Sequence, residues 1–200
     1  MIKIGLTGSI GMGKSTVLSM FAELGAATWD ADAAVHRLYA KDGQAVGPIG
    51  NAFQGVVSDG AIDRAMLAKQ VLNDPLALQL LEEIVHPLVG EDREAFMTAA
   101  AHSGAKAAVL DIPLLFENDT EKFFDVTVVV SAPAEVQRER VLSRPGMSEE
   151  KFKAISSLQT PDAEKRQKAD YIIDTGQPLE KTRDAVKAVY EAIIQRATTP

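Results

Sequence analysis

The stretch that decides the fold is residues 8–15, Gly8-Ser9-Ile10-Gly11-Met12-Gly13-Lys14-Ser15. It matches the pattern G-x-x-x-x-G-K-[ST] of a phosphate-binding loop. An apolar run typical of a buried strand, residues 2–6, precedes the loop, and a sequence typical of a helix, residues 16–24, follows it. That strand–loop–helix context is what the motif requires. The sequence therefore predicts an α/β protein whose loop closes backbone N–H groups around a nucleoside triphosphate.

The loop residues divide into two groups by their expected chemistry. Lys14 would reach the β- and γ-phosphates and offset transition-state charge, and Ser15 would hold Mg²⁺. The others would bind the nucleotide mainly through backbone groups. The predicted nucleotide-binding set at this loop is Gly8, Gly11, Met12, Gly13, Lys14, Ser15 and Thr16.

The composition is that of an ordinary globular protein, with 200 residues, 46% hydrophobic and 24% charged. The net charge of −7 argues against a nucleic-acid partner. The chain has no cysteine, which excludes disulfides, a thiol nucleophile and thiolate zinc sites and suits the cytoplasm. Since no apolar stretch approaches the roughly 20 residues of a membrane span, no membrane partner is expected. The oligomeric state stays open.

Short apolar runs alternate with amphipathic segments along the chain. Near-continuous apolar runs are typical of parallel strands that are covered on both faces. With helices between them, they predict a doubly wound, five-stranded parallel sheet that binds its ligand at the carboxyl ends of the strands. The strand candidates are residues 2–6, 26–30, 107–112, 125–131 and 170–174.

The interval between the second strand and residue 107 contains no strand candidate and is too long for one crossover. We interpret it as a helical insert, and we expect a helix break or kink at His86-Pro87, because proline disfavours helix at the residue before it. The final helix, about 178–196, begins at Pro178. The predicted helices of the insert are about 32–40, 63–72, 75–85 and 88–102.

Three aspartates lie at predicted strand ends. Asp30 and Asp32 follow the second strand, where a carboxylate could accept a proton from an attacking hydroxyl or bind Mg²⁺ through water. The alternative is that an aspartate here caps the next helix. Asp111 ends the third strand. It could bind Mg²⁺, orient the segment that follows it, or contact the substrate.

Residues 137–168 carry a basic cluster. Arg140 and Arg144 are four residues apart and would share one helix face. Guanidinium groups suit phosphoryl oxygens, so the cluster predicts a lid over the nucleotide, with a solvated basic face as the alternative. The cluster consists of Arg138, Arg140, Arg144, Lys151, Lys153, Lys165, Arg166 and Lys168.

An ordered set of short motifs spans almost the whole chain. The set resembles the dephospho-coenzyme A kinase family, whereas the loop alone would be shared with many other proteins. The matching pieces are Leu6-Thr7-Gly8 through Thr16, Asp30-Ala31-Asp32 with Arg37-Leu38, His86-Pro87-Leu88, Pro113-Leu114-Leu115 with Glu117, Gln137 with Arg140 and Arg144, Gln159, Lys165-Arg166, and Ala169-Asp170 with Ile173-Asp174 and Gly176.

The resemblance implies an ATP- and Mg²⁺-dependent kinase that phosphorylates the ribose 3′-hydroxyl of dephospho-CoA, the final step of coenzyme A synthesis. It implies that Asp32 is the catalytic base and that the helical insert binds dephospho-CoA. Arg140 is predicted to be catalytic because its charge would stabilise the transferring phosphoryl oxygens. Thr175, where the family usually has Asn, and Gly176 would line the adenine, with Arg144 also on the nucleotide. The substrate-binding residues it implies are Asp32, Arg37, His86, Pro87, Leu114 and Glu117.

The resulting organisation is a single P-loop kinase domain over residues 1–200. Its core would comprise residues 1–31, 105–135 and 169–200, its acceptor-binding insert residues 32–104, and its lid residues 136–168. The closest alternative is another small-molecule kinase, like shikimate or gluconate kinase. A GTP-dependent switch would carry D-x-x-G and N-K-x-D motifs, and the sequence has neither.

Overall fold

The structure, a computed structural model, describes residues 1–198, and the side chains of residues 1–196. Residues 199 and 200, which belong to the predicted core, lie outside the described residues. The strands are β1 (Ile2–Thr7), β2 (Ala27–Asp30), β3 (Val57–Ser58), β4 (Ala61–Ile62), β5 (Ala107–Asp111), β6 (Val126–Ser131) and β7 (Tyr171–Asp174). The helices are α1 (Lys14–Glu23), α2 (Ala31–Tyr39), α3 (Val46–Ala52), α4 (Arg64–Val71), α5 (Pro75–His102), α6 (Ala134–Leu142), α7 (Glu149–Ser157), α8 (Asp162–Lys168) and α9 (Leu179–Thr198), with a short 3-10 helix at Glu121–Phe123.

A five-stranded parallel sheet organises the molecule, in the order β2-β5-β1-β6-β7. The predicted doubly wound sheet and its five strands are confirmed. The register sets Leu6 of β1 beside Asp111 of β5 and Val128 of β6. β5 and β6 lie on opposite sides of β1, and the chain crosses from one side to the other between them, so the carboxyl end of β1 is the topological switch point. The loop of residues 8–15 begins there.

Both faces of the sheet are covered, as the apolar strands require. Val128 and Val130 belong to a large buried cluster with α1 and α9, in which the rings of Phe21 and Tyr190 meet edge to face at 6.1 Å. Val129 between them lies in a second cluster with Leu115 and Phe116. Successive side chains of a strand point to opposite faces, so the two clusters lie on opposite sides of the sheet.

The chain divides into two compact units. One consists of Met1–Trp29 with Ala100–Pro200 and carries the sheet; the other is Asp30–Ala99. The second unit has its own buried core, which is formed by side chains of its helices and its short hairpin. That core includes Leu38, Ala45, Ile49, Phe53, Val56, Ile62, Leu67, Val71 and Val85.

The prediction of a strand-free insert is wrong in one detail, because β3 and β4 form a small antiparallel hairpin. Its turn residues, Asp59 and Gly60, both have positive φ, at 51° and 79°. This is the backbone that Asp-Gly favours in a two-residue hairpin turn. The dipeptide is thus a signal that the sequence analysis missed. Helix α3 was also missed, since Gly47, Pro48 and Gly50 are poor helix formers.

The predicted break at His86-Pro87 is wrong, because α5 runs as one helix of 28 residues with Pro87 inside it. A proline removes one backbone hydrogen bond, and a long helix keeps its bonds on either side. The Asp74 carboxylate caps the start of α5 by accepting from Leu76 N at 3.0 Å and Ala77 N at 3.1 Å. Among the described residues, α5 and the other helices are all too short or too polar to cross a membrane.

Candidate active site

The loop after β1 has a backbone that only glycine accepts at two key positions. Gly11 has φ +80°, and a Cβ there would lie 2.5 Å from Cγ2 of Val141. A Cβ on Gly8 would lie 2.5 Å from the carbonyl oxygen of Val130. Both contacts are far closer than a Cβ tolerates, so these glycines allow the loop to lie directly against β6 and α6.

Two glutamines hold the middle of this loop, and we call Gln137 and Gln159 the glutamine clamp. Nε2 of Gln137, on α6, donates to the carbonyl oxygen of Ile10 at 2.8 Å. The N–H of Ile10 donates to Oε1 of Gln159, between α7 and α8, at 3.0 Å. The clamp therefore binds both polar groups of one residue and fixes its orientation.

Met12 is anchored through both its side chain and its backbone. Its side chain is buried, and Sδ accepts from the N–H of Ala132 at 3.1 Å. Its carbonyl oxygen accepts from Oγ1 of Thr175 at 2.7 Å. Because the side chain points into the core, only the backbone of Met12 could meet a nucleotide.

The first turn of α1 presents Lys14, Ser15 and Thr16, of which Lys14 is half-buried and the other two are exposed. The N-cap is Gly13, at φ 86°, which has no side chain to bind the first-turn N–H groups. Such groups, at the positive end of the helix dipole, are the donors that bind phosphate. The geometry at this helix terminus therefore suits an anion.

A cavity of about 340 Å³ adjoins the loop. It brings the predicted residues Arg140, Arg144 and Thr175 together with the loop glycines. Its lining also includes three residues that the sequence analysis missed. Gln177 directly follows Thr175-Gly176, and Leu179 and Thr182 lie in the first turn of α9. The full lining is Gly11, Gly13, Thr16, Arg140, Arg144, Thr175, Gln177, Leu179 and Thr182.

The prediction that Arg140 and Arg144 share a helix face is wrong. Helix α6 ends at Leu142, and Arg144 lies beyond it. Pro145 explains the early end, because it disfavours helical backbone at the residue before it. Both arginines nevertheless line the same cavity.

One further member of the predicted basic cluster, Lys165, is neither on a lid surface nor solvated. It is completely buried, and its Nζ lies 2.9 Å from Oε1 of Glu117. The same oxygen accepts from the N–H of Thr160 at 2.7 Å. Burial acts to raise the pKa of Glu117, but Lys165 and these backbone contacts outweigh it and lower that pKa. A periodic pattern of surface charge cannot reveal such a long-range pair.

A family model described as dephospho-CoA kinase matches residues 2–180. The chain belongs to the dephospho-CoA kinase family. It is similar to the dephospho-CoA kinase of Mesorhizobium japonicum, with 55% identity over 193 residues, 96% of this chain and 97% of the relative. The resemblance inferred from the motifs is confirmed.

One solved structure agrees with the family assignment, and a second shares the fold. The dephospho-CoA kinase from Campylobacter jejuni matches with a TM-score of 0.73 and 26% identity over 98% of each chain. A shikimate kinase from Acinetobacter baumannii matches with a TM-score of 0.55 and 20% identity, covering 100% of this chain and 96% of that one, which shows a shared fold alone. Membership of the dephospho-CoA kinase family does not favour the alternative of a shikimate- or gluconate-kinase-like enzyme.

Within the dephospho-CoA kinase chain, the three strand-end aspartates have different surroundings. Oδ1 of Asp30 accepts from the N–H of Ala33 at 2.8 Å, so Asp30 is the N-cap of α2. Asp32 lies in the first turn of that helix and is exposed. Asp111 is buried at the end of β5. One of the two aspartates after the second strand thus serves as a cap, as the alternative interpretation predicted.

The remaining predicted substrate residues lie in both units of the kinase. In the second unit, Arg37 forms a two-pronged ion pair with Asp92, at 2.6 and 3.2 Å, while His86 and Pro87 are exposed on α5. In the unit with the sheet, Leu114 is exposed and Gly176 lies against Pro133 so closely that a Cβ would meet its ring at 2.3 Å.

Proposed function

We propose that this member of the dephospho-CoA kinase family transfers the γ-phosphoryl group of ATP to the ribose 3′-hydroxyl of dephospho-CoA, giving coenzyme A and ADP. The observation that carries the assignment of the site is the cavity in which the phosphate loop meets Arg140 and Arg144. Phosphoryl transfer needs little covalent chemistry from a protein, because positioning and charge stabilisation supply most of the rate.

In the proposal, the loop binds the phosphates and cations neutralise them. Backbone N–H groups at the start of α1 bind the β-phosphate, and Lys14 reaches the γ-phosphate. Arg140 and Arg144, on the same cavity wall, bind oxygens on which charge accumulates during transfer. Gln177, Leu179 and Thr182 line the same cavity and, in the proposal, meet the nucleoside.

Magnesium belongs to this proposal, and the donor set fits it. Mg²⁺ prefers oxygen ligands and binds through few protein groups together with substrate phosphates. Ser15 offers a hydroxyl in the first turn of α1, and the carboxylates of Asp111 and Asp30 lie at strand ends. When bound, Mg²⁺ would neutralise charge on the phosphate oxygens. Ser15 would hold it directly, and Asp30 or Asp111 through water.

Asp32 is the proposed general base. A ribose hydroxyl is a weak nucleophile at neutral pH, so a positioned group must accept its proton as the new P–O bond forms. Asp30 accepts from the N–H of Ala33 as the N-cap of α2, whereas Asp32, two residues later in the first turn, is exposed. Asp30 therefore orients the helix that presents Asp32.

The acceptor would be bound by residues that the family resemblance implies: Arg37, His86 and Pro87 of the second unit, with Leu114 and Glu117. The Arg37 guanidinium is held by Asp92, so it would meet an anionic acceptor group from a fixed position. Glu117 already binds Lys165 through Oε1, and its Oε2 is buried, so a contact with the acceptor would have to reach this second oxygen inside the protein. The proposal also places the enzyme in the cytoplasm, where ATP is regenerated.

The experiment is a coupled assay of ADP release with dephospho-CoA, shikimate and gluconate as acceptors, each with ATP and with GTP. We expect turnover with ATP and dephospho-CoA and a product heavier by one phosphoryl group in mass spectrometry. The Lys14→Ala variant is the control for contaminating kinases. Preferential turnover of shikimate or gluconate would refute the proposed substrate.

A further inference from the structure

Thr175 connects three parts of the site through hydrogen bonds of its backbone and of its side chain. Its N–H donates to the carbonyl oxygen of Ser131, at the end of β6, at 2.8 Å. Its Oγ1 donates to the carbonyl oxygen of Met12 at 2.7 Å. Arg140 donates from Nη1 to Oγ1 of Thr175 at 3.1 Å and from Nη2 to the Thr175 carbonyl oxygen at 2.7 Å. A single buried residue thus touches the sheet, the phosphate loop and the arginine.

The direction of these bonds follows from the chemistry of a hydroxyl. A threonine hydroxyl has one hydrogen to donate and lone pairs that accept. The hydroxyl has two carbonyl acceptors within reach, Met12 at 2.7 Å and Ser131 at 3.3 Å, and its hydrogen points to the nearer one, Met12. The Arg140 guanidinium can only donate, so the hydroxyl accepts from it. Valine has nearly the same shape as threonine but can neither donate nor accept a hydrogen bond through its side chain.

The guanidinium of Arg140 is held in two places, by the hydroxyl and by the carbonyl oxygen of one residue. Two parallel contacts fix the plane of a guanidinium as well as its position. Gly13 of the loop is adjacent, since a Cβ there would lie 3.5 Å from Oγ1 of Thr175. Gly13, Arg140 and Thr175 line the same cavity.

We propose that Thr175 is a positioning residue that holds Arg140 against the phosphate loop, so that the cation stands in place before the nucleotide arrives. Thr175 therefore acts through Arg140 and not by reading the adenine with its hydroxyl, which is committed to protein groups. This inference rests on the proposed function, because it takes the γ-phosphate of ATP as the charge that Arg140 meets.

The test is a double-mutant cycle in kcat for ADP release with dephospho-CoA. Thr175→Val removes the hydroxyl contacts, those with Met12 and Arg140 among them, and we expect kcat to fall by about 10- to 100-fold, since a small misplacement of a catalytic group costs up to that much. Thr175→Ser keeps the hydroxyl and should restore kcat to within about threefold. In the Arg140→Ala background, Thr175→Val should cause no further loss, because residues that act through one another are not additive. An equal loss in both backgrounds would overturn the proposal, as would failure of serine to restore kcat.

Two further variants separate positioning from folding. Arg140→Lys keeps the charge, leaves the core unaltered and cannot make the two-pronged contact, so we expect a loss of kcat similar to that of Thr175→Val. Wild-type kcat in Arg140→Lys would contradict the proposal. Thr127→Val is the matched control: Thr127 is buried, and its hydroxyl binds Asp170 at 2.9 Å at the other end of β6. It should lower the melting temperature and leave kcat unchanged.

A binding measurement distinguishes failure of this inference from failure of the proposed function. ATP affinity is measured by calorimetry without any acceptor, for the wild type and for each member of the cycle. If the wild type does not phosphorylate dephospho-CoA, the proposed function fails, and the coupling between Thr175 and Arg140 is then read from ATP affinity. Additive losses of affinity in that cycle would overturn the positioning role by itself.

Discussion

The side chain of Lys165 is completely buried, and its ammonium lies 2.9 Å from Oε1 of Glu117. The N–H of Thr160 donates to the same oxygen at 2.7 Å. This pair ties the end of the basic segment, around α8, to the loop that follows β5. The basic residues of that segment therefore have two roles, since Arg140 and Arg144 face a cavity while Lys165 binds a core carboxylate.

Glu117→Gln should destabilise the protein strongly at neutral pH. The substitution leaves the buried Lys165 ammonium without a counter-charge, and breaking a buried pair in this way costs about 3–5 kcal/mol. Urea denaturation measures the change in the free energy of unfolding. The double variant Glu117→Gln/Lys165→Met is the control, since it removes the buried charge and should recover much of the loss; a single variant as stable as the wild type would contradict the prediction.

The same pair predicts a pH dependence in the acid range. The pKa of Glu117 is lower in the folded protein than its usual value, so the carboxylate contributes stability that is present above the unfolded pKa of about 4.3 and is lost as the pH falls through the folded pKa. The stability difference between the wild type and Glu117→Gln should therefore be largest above about pH 5 and shrink below about pH 4. Denaturation series across this range test it, and a constant difference would count against it.

Lys14→Ala should abolish turnover and leave the fold intact. Its charge offsets the charge on the γ-phosphoryl oxygens in the transition state, whereas the side chain is only half-buried in the first turn of α1. The measurements are kcat for ADP release and the melting temperature. Near-normal kcat would show that the phosphate loop has been misassigned.

Arg140→Ala should lower kcat by on the order of 10²-fold or more, as expected for a lost contact to transferring phosphoryl oxygens, and Arg144→Ala should also impair catalysis. If the basic segment closes over ATP, bound nucleotide and acceptor should slow amide exchange most between residues 144 and 158. Residues 159–165 already bind Ile10, Glu117 and Ser131 and should change less. Unchanged exchange throughout the segment would exclude a lid.

Asp32→Asn should reduce kcat by roughly 10²- to 10⁴-fold with ATP affinity nearly unchanged, because the variant keeps the shape but loses the proton acceptor. Asp30→Asn is the comparison variant, for which we expect the smaller loss of kcat, since asparagine caps helices as well as aspartate does and should preserve the start of α2. Steady-state kinetics of the two variants show which aspartate is the general base. A larger kcat loss in Asp30→Asn would reverse the assignment of the base.

The parts of the fold that the sequence predicts well are those with a local physical cause. The strands β1, β5 and β6 are near-continuous apolar runs, so their burial in a parallel sheet follows from composition and length. The conformation of the phosphate loop also has a local cause, because Gly11 and Gly13 have positive φ, which glycine adopts readily.

The parts that it predicts poorly depend on contacts that are distant along the chain. The ion pair of Glu117 and Lys165 and the bonds of Arg140 to Thr175 join segments that have no common periodicity. The role of the hydroxyl of Thr175 could not be inferred from its neighbours in sequence. Pro87 shows the reverse case, in which a local rule predicts a break and the surrounding helix continues.

The glutamine clamp on Ile10 has a thermodynamic consequence for the whole enzyme. Ordering a backbone residue costs about 1–2 kcal/mol in conformational entropy. Because the clamp orders Ile10 when the protein folds, this entropy is not lost again when ATP binds. Part of the nucleotide affinity therefore depends on the side chains of Gln137 and Gln159, which bind the backbone of Ile10. Sequence drift at positions 137 and 159 would alter ATP affinity in natural variants whose phosphate loops are identical.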